Sequence, residues 1–427
     1  MPNDLATVES LKREVNAAIE ARRDEAIALC SEFIRRPTDN PPSDTRALVS
    51  FITDKLATRN IPFQIHEIKE HNQNIVSRLK GRNSGTQVRN LVLNGHLDQF
   101  PAGDLSHWDF DPYCGDVRDG KILGRGAGDM KGGAASLTFV FMLMRDLSVP
   151  LDGDLTLMLV ADEESGGEYG TKWLLNNCED VRGSAMLSGE DTGAHLIRVG
   201  EKGNYWTKIT MTADSGHGGL GRRDTPITRM AELTRALYAE IAGIPGTTPE
   251  DLRDIVTFTR KMLDDEFGSG TGVIVDHTSV NVGTISGGVK VNVTPGNCEI
   301  SVDIRLPLGT RVDDIAAKLR ALVERHCPGA TIELITSAEP NYTPPSAEIL
   351  QMTLQNVAAV SKHKPECWVT YTTTDARFFR SVGIPVAQVG PAVYSMGGPN
   401  EYIHVDEYLD VLKIHAGTII DYLCRNA

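Results

Sequence analysis

Apolar positions near the N-terminus recur three or four residues apart. Leu11, Val15 and Ile19 belong to such a series, which runs from Thr7 to Arg35 and predicts a helix. The prolines of RRPTDNPPSD end that helix, because proline has no N–H group to donate. A second helix is predicted over residues 46–58. The segments FQIHEIKE and NIVSRLKG alternate with period two and predict short strands.

Three later apolar runs are each followed by polar side chains at their carboxyl ends. NLVLNGHLD ends in His96 and Asp98, DLTLMLVADEES contains Glu163 and Glu164, and GSAMLSGED ends in Glu190 and Asp191. Helical patterns separate the three runs, which predicts an α/β domain with a mixed, mostly parallel sheet flanked by helices. Ligands of such sheets bind outside the carboxyl ends of the strands. We therefore expect these side chains to converge.

After residue 200 the pattern changes to strand, helix, strand, strand, helix, strand, which is the order of the split βαβ sandwich. An additional helix, TPEDLRDIVTFTRKMLDDEF, is predicted between the first helix and the second strand. We assign residues 1–200 and 341–427 to a catalytic, metal-binding domain. Residues 201–340 are assigned to an inserted α+β, ferredoxin-like domain.

Composition narrows the classes of function. The hydrophobic fraction of 41% over 427 residues is that of an ordinary globular protein. The net charge of −14 disfavours binding to nucleic acid or to an anionic membrane. Seven scattered cysteines without a CxxC motif fit a reducing cytoplasm better than a disulfide framework. No signal peptide or membrane-spanning helix is expected from the sequence.

The residue types at the strand ends are those that bind divalent metals. A neutral imidazole such as His96 and a carboxylate such as Asp129, in GRGAGDMKGG, suit a borderline divalent ion. Asp98 lies two residues beyond His96 on an extended segment, so it can fix the imidazole tautomer. Glu163 and Glu164 are adjacent and point in different directions. One can therefore bind metal while the other takes a proton from water.

Each of these residues also has a simpler interpretation when taken alone. His96 and Asp98 can cap a turn, and Asp129 can cap the helix that follows it. Glu163 and Glu164 can be solvated acids in a loop. Only the combination of motifs favours metal chemistry.

The combination resembles a known family over nearly the whole chain. GRGAGDMKGG, ADEESGGEYGT, SGED, SGHGG, VNVTPGNCEISVDIRLP, TTDARFFR and NEYIHVDEY match, in order, the co-catalytic metallopeptidases and deacylases. That family includes acetylornithine deacetylase, succinyl-diaminopimelate desuccinylase, aminoacylase and glutamate carboxypeptidase. The resemblance implies the α/β fold with an inserted lid domain, and a site for two divalent metal ions.

The resemblance also implies a role for each matched residue. Asp129, followed by a cis peptide bond, would bridge two metals. His96 and Glu190 would complete one metal site, and Glu164 and His404 would complete the other. Glu163 would be the general base, and Asp98 would orient His96. The family often has proline after the residue that matches Glu190, whereas this chain has Asp191. Asp191 is therefore an alternative ligand, and His404 alone could be a surface histidine before a helix.

In the inserted domain, the resemblance implies that His217 stabilises the oxyanion in the site of another subunit. It also implies that Asn281 and Arg305 bind a substrate carboxylate, which the forked guanidinium pairs with bidentately. A loop histidine and a surface salt bridge are the simpler interpretations of His217 and Arg305. Dimerisation through the inserted domain is expected on the same basis.

These observations predict a cytoplasmic hydrolase that cleaves the C–N amide bond of an N-acyl amino acid or small peptide bearing a carboxylate. Two divalent ions are expected, zinc foremost, and the carboxylate-rich shell also suits cobalt or manganese. One alternative is hydrolysis of another C–N bond, in a carbamoyl group or an aromatic amine. A non-catalytic metal-binding scaffold is the alternative from a different class.

Overall fold

The computed structural model describes residues 2–83 and 89–424, with side chains from Thr7 onward. The chain forms two compact units. Unit 1 contains the chain up to Val199, Thr343–Cys367 and the chain from Phe378 onward. Unit 2 contains Gly200–Tyr342 and Trp368–Arg377.

The helices and strands are numbered in chain order. The helices are α1 Pro2–Ala21, α2 Arg23–Ile34, α3 Arg46–Ala57, α4 Gly132–Asp146, α5 Thr171–Asn177, α6 Pro226–Glu240, α7 Arg253–Phe267, α8 Val312–His326, α9 Glu348–Val360, α10 Ala376–Ser381 and α11 Val405–Leu423. The strands are β1 Phe63–Lys69, β2 Asn72–Leu79, β3 Asn90–His96, β4 Val117–Arg118, β5 Lys121–Leu123, β6 Asp154–Val160, β7 Ala185–Ser188, β8 Leu196–Glu201, β9 Gly203–Thr212, β10 Gly216–His217, β11 Ser279–Gly287, β12 Val293–Thr294, β13 Asn297–Leu306, β14 Thr331–Ala338, β15 Asn341–Tyr342, β16 Glu366–Thr370, β17 Val386–Gln388 and β18 Tyr402–His404. Among the described residues, no helix combines the length and the apolar character needed to cross a membrane.

The main sheet of unit 1 has the strand order β1-β2-β6-β3-β7-β17-β8. Strands β6, β3, β7 and β17 are parallel, and the pairs toward both edges are antiparallel. Every residue of β3 is buried, and helices α4 and α11 pack against it. This burial explains why the central strands are continuous apolar runs without alternation.

The three parallel strands β6, β3 and β7 lie side by side, so their carboxyl ends meet at one edge of the sheet. His96 is the last residue of β3, and Glu163 and Glu190 follow shortly after β6 and β7. The predicted fold class is confirmed, and it explains how residues far apart in the chain reach one place.

Unit 2 contains a four-stranded antiparallel sheet with the order β11-β13-β9-β14. Buried residues of helices α6 and α8, such as Leu233 and Leu319, form one hydrophobic core with Ile209 and Ile300 of the sheet. This order of elements is that of the predicted split βαβ sandwich. Helix α7 is the additional helix expected from the sequence.

Two details differ from the sequence-based expectation. The N-terminal helical pattern forms two helices, because the backbone of Arg22 (φ −109°, ψ 23°) leaves the helical conformation between α1 and α2. Trp368–Arg377 belongs to unit 2, although residues 341–427 were assigned to the catalytic domain. Thr374 explains the second difference, since its N–H and Oγ1 donate hydrogen bonds of 3.0 and 2.8 Å to Glu201.

Candidate metal centre

His96 is the buried imidazole at the end of β3, with 1% of its surface exposed. Its Nδ1 lies 2.9 Å from the main-chain oxygen of Asp98. Its Nε2 lies 3.0 Å from Oδ1 of Asp129 and 3.9 Å from Oε1 of Glu190. A carbonyl can only accept a hydrogen bond, so Nδ1 carries a proton and Nε2 is directed at the two carboxylates.

Asp129 lies in a kinked turn, Ala127–Lys131, directly before α4. Its own backbone is not helical (φ −111°, ψ 99°), and the peptide bond to Met130 is cis, as the resemblance implied. A Cβ atom on Gly128 would lie 2.1 Å from the side chain of Val393, so only glycine fits there. The glycine-rich approach therefore lets the turn pack closely enough to present Asp129 to His96.

Glu190 follows β7 and completes a compact group. One ligand atom each from His96, Asp129 and Glu190 lie within 4.8 Å of one another. No other such cluster of histidine, cysteine or acidic residues occurs in the described part of the chain. The structure thus brings together three of the predicted metal ligands.

Asp191, the alternative to Glu190, is held by a buried arginine instead. Nη2 of Arg198 donates to the main-chain oxygen of Asp191 at 2.6 Å and to its Oδ1 at 3.2 Å. Nη1 of Arg198 lies 3.9 Å from Oε2 of Glu190. The geometry therefore favours Glu190 over Asp191 as the ligand.

The loop that carries Glu190 touches the first turn of α4. A Cβ atom added to Gly133 would lie 1.7 Å from the main-chain oxygen of Gly189, and one added to Gly390 would lie 2.2 Å from the same oxygen. These close approaches place the loop of Glu190 against the helix that follows Asp129. Larger residues at these positions would push the two ligands apart.

The carboxylate of Asp98 is the centre of a buried hydrogen-bond network. It accepts bonds from Nδ2 of Asn40 at 2.7 Å and from the main-chain N–H groups of Glu163 and Glu164 at 3.2 and 3.1 Å. Its Oδ1 lies 3.5 Å from Nδ1 of His96, farther than its own main-chain oxygen. Asp98 thus holds the Glu163–Glu164 turn with its carboxylate and orients His96 with its carbonyl.

Burial and mutual repulsion disfavour the charged forms of the acidic side chains around His96. Burial, and then the nearby Asp129, raise the pKa of Glu164 to about 11. Burial also raises the pKa of Glu190 to about 8, against the opposing effect of His96. Burial disfavours the charged form of His96, but hydrogen bonds to Asp129 and Asp98 raise its pKa well above the ordinary value. A divalent cation would relieve this repulsion.

The surroundings of the Glu164 side chain also favour a bound cation. Its Oε1 is buried and has no hydrogen-bond partner among the described residues. A buried carboxylate oxygen without a partner is costly, and metal binding would satisfy it. Glu164 is nevertheless outside the group of three ligands in this conformation.

His404, at the N-terminus of α11, is also outside that group. Its ring contacts Tyr394 and Tyr402 edge-on, with centroid distances of 5.0 and 5.5 Å. The preceding Ile403 packs against Gly132, just beyond the turn that carries Asp129. The structure thus places the strand of His404 against the Asp129 turn without bringing the imidazole into the group.

The three remaining predicted site residues lie in unit 2. His217 is exposed, and its Nδ1 accepts a bond from the N–H of Gly219 at 3.1 Å. Asn281 pairs with Asp303 across β11 and β13, so it shares a sheet face with Arg305 two residues further. Arg305 forms an ion pair of 2.9 Å with Asp303.

Four residues of this region were missed by the sequence analysis, namely the half-buried Asn40 and the buried Arg125, Arg198 and Glu401. Asn40 lies in a segment with two cis prolyl bonds, Asn40–Pro41 and Pro41–Pro42. Arg125 lies within the glycine-rich turn and Glu401 within NEYIHVDEY. The available signal is a charged residue between glycines, Arg125, four residues before the predicted ligand Asp129. This signal does not reveal the partner of Arg125.

The profile of the Peptidase family M20/M25/M40 matches residues 92–421 of the chain. The chain belongs to peptidase family M20/M25/M40. It is 28% identical over 402 residues to the succinyl-diaminopimelate desuccinylase of Rhodospirillum centenum, covering 92% of this chain and 95% of that one.

Solved structures of this family share the fold. An M20 family metallo-carboxypeptidase from Sulfolobus solfataricus superposes with a TM-score of 0.80 at 16% identity, over 93% of this chain and 99% of that one. A dinuclear metal-binding peptidase of the M20 family from Bacillus subtilis superposes with a TM-score of 0.66 at 13% identity, over 95% and 99%. As a member of the M20/M25/M40 family, this chain is a metal-dependent hydrolase that acts on amide bonds.

Proposed function

We propose that this enzyme hydrolyses the amide bond of an N-acyl amino acid or a small peptide at a site for two divalent ions. The observation that carries the proposal is the group of His96, Asp129 and Glu190, whose ligand atoms lie within 4.8 Å of one another at the carboxyl ends of the parallel strands. The names of the desuccinylase and carboxypeptidase relatives support an acylated amino acid or peptide as substrate.

In this proposal His96, Asp129 and Glu190 would hold one ion, and Asp129, Glu164 and His404 would hold the second. The partnerless Oε1 of Glu164 supports its assignment as a ligand. Imidazole and carboxylate ligands suit zinc, and cobalt or manganese also fit this donor set. Bound ions of this kind lower the pKa of water and polarise a carbonyl group.

Glu163 is the proposed general base. The carboxylate of Asp98 accepts hydrogen bonds from the main-chain N–H groups of Glu163 and Glu164. These bonds hold the backbone from which the side chain of Glu163 projects. Glu163 takes a proton from the attacking water as the C–O bond forms, and then gives it to the nitrogen as the C–N bond breaks. The products are a carboxylate and an amine.

The residues of unit 2 are assigned to substrate binding. Arg305 and Asn281 share one sheet face, which supports joint binding of a substrate carboxylate. The exposed His217 is assigned to stabilise the oxyanion in the site of a second copy.

We also propose a cytoplasmic homodimer. All seven cysteines are free, which fits a reducing compartment. Strand β11 is an edge strand of the unit 2 sheet and exposes Ile285 by 58%, so it offers an open edge for pairing with a second copy. Light scattering at several protein concentrations would test this association.

The experiment for the main proposal combines substrates with a variant of the base. N-succinyl, N-acetyl and dipeptide substrates are assayed beside carbamoyl compounds and aromatic amines, with and without a chelator. We expect amide hydrolysis that chelation abolishes and that zinc restores. Turnover of only carbamoyl or amine substrates would refute the amide assignment, and a chelator-resistant activity would refute the metal assignment.

Glu163→Ala should lower kcat by roughly 10²–10⁴-fold while the bound metal content stays at the wild-type level. Glu168→Ala is the matched control, since Glu168 is exposed on the same loop and, within the described part of the chain, its carboxylate pairs with Lys172 alone. Wild-type turnover in the Glu163 variant would reject this residue as the base.

A further inference from the structure

A buried ion pair joins Arg125 and Glu401, each with 1% of its surface exposed. Nη1 of Arg125 lies 2.6 Å from Oε2 of Glu401. Transferring two charges out of water costs free energy that their mutual attraction barely offsets. A buried ion pair therefore contributes little net stability to the fold. Its location next to the metal centre points to a different role.

Both partners make further bonds to two glycine-rich segments. Oε1 of Glu401 accepts from the N–H of Gly128 at 3.1 Å, and the main-chain oxygen of Glu401 accepts from Gly124 at 2.9 Å. Nη2 of Arg125 donates to the carbonyl oxygens of Gly397 and Gly398 at 3.1 and 2.9 Å. The pair therefore ties the segment that precedes Asp129 to the segment that precedes His404.

The pairing of β5 with β18 extends this connection. Tyr402 pairs with Leu123 and His404 with Lys121, so the strand of His404 lies beside the strand that enters the Asp129 turn. Asp129 and His404 thus project from two segments that the ion pair locks together. His96 and Glu190 project instead from the ends of β3 and β7, whose positions the parallel sheet fixes.

We propose that Arg125 and Glu401 are positioning residues for the second ion, the one assigned to Asp129, Glu164 and His404. This inference rests on the proposed two-ion function. Neither residue touches the reacting atoms. They act by setting the distance between two ligand-bearing segments, whereas the sheet holds His96 and Glu190, two of the ligands of the first ion.

The test is a zinc titration of the metal-free full-length enzyme in competition with a chromophoric chelator, which resolves two binding steps. Glu401→Gln keeps an oxygen for the N–H of Gly128 but removes the charge that faces Arg125. We expect it to weaken one of the two binding steps, which is then assigned to the second ion, by about 10–100-fold and to leave the other step unchanged. Arg125→Met should do the same, and the double variant should lose less than the sum of the two.

Asp421→Asn is the control, because it removes the charge from a partly exposed ion pair of 2.6 Å with Lys12 that joins α1 to α11. Both zinc steps should stay at wild-type affinity in this variant. Wild-type affinity for both ions in Glu401→Gln, or equal weakening of both together with a lower Tm, would overturn the positioning role.

If Glu401→Gln does not fold, Arg125→Lys supplies the same comparison, since it keeps the charge and loses the second donor to Gly397 and Gly398. Wild-type affinity for both ions in the Arg125→Lys variant overturns the proposal as well. A wild-type enzyme that shows a single binding step refutes the two-ion function itself, and this result is read before any variant is measured.

Discussion

Asn40 offers a sharp test of how the base is held. Its Nδ2 donates to Oδ2 of Asp98 at 2.7 Å and lies 3.0 Å from Oγ of Ser165, on the turn of Glu163 and Glu164. Asp98 is fully buried, so water cannot replace a lost donor readily. Asn40→Ala leaves the carboxylate with the main-chain donors of Glu163 and Glu164.

The loss of a hydrogen bond to a charged group costs about 1.5–3 kcal/mol, and we expect the free energy of unfolding to fall by that amount. The turn of Glu163 also loses its link through Ser165, so kcat should fall roughly 10–100-fold, as for other supporting partners of metal sites. Asn40→Asp should be worse than Asn40→Ala, because it places a second carboxylate against Asp98.

The assay measures kcat and KM on the best amide substrate, bound metal by elemental analysis, and unfolding in urea. Asn177→Ala is the control, since its exposed side-chain amide donates to the carbonyl oxygen of Trp173 within α5. A variant of Asn40 that is less stable but keeps the wild-type kcat would refute the positioning of the base through Asp98. Unchanged stability would refute the estimated hydrogen-bond contribution.

Two further predictions concern packing and pH. Gly133→Ala should lower the free energy of unfolding by at least about 1–3 kcal/mol and weaken zinc binding, because the added Cβ would overlap the main-chain oxygen of Gly189 beside Glu190. Wild-type zinc affinity in a titration of this variant would contradict the prediction. Burial lowers the pKa of Lys202 to about 7, whereas the unfolded chain keeps this lysine protonated up to about pH 10.4. Between these pH values the unfolded state binds more protons, so the free energy of unfolding, measured relative to Lys202→Met, should rise with pH by up to about 1.4 kcal/mol per pH unit. Urea unfolding at several pH values measures this difference. A difference that does not change with pH would show instead that the carbonyls of Ile274 and His277 keep the amine charged.

The sequence by itself determined the fold class and the type of chemistry. Continuous apolar runs predicted the buried parallel strands. The polar residues at or just beyond the carboxyl ends of these strands include His96, Glu163 and Glu190. These features are local, because the period of apolar positions depends on neighbours within a few residues. The glycines around Asp129 likewise indicated a tight turn before their contacts were known.

Only the tertiary structure decided which polar side chains act together. Glu190 lies in the group of ligands, whereas the neighbouring Asp191 accepts hydrogen bonds from Arg198. Asp98 meets Asn40 from 58 residues away, and Arg125 meets Glu401 from 276 residues away. Such partnerships depend on strand order and on how closely glycine-lined segments approach each other, and no local pattern in the chain encodes either distance.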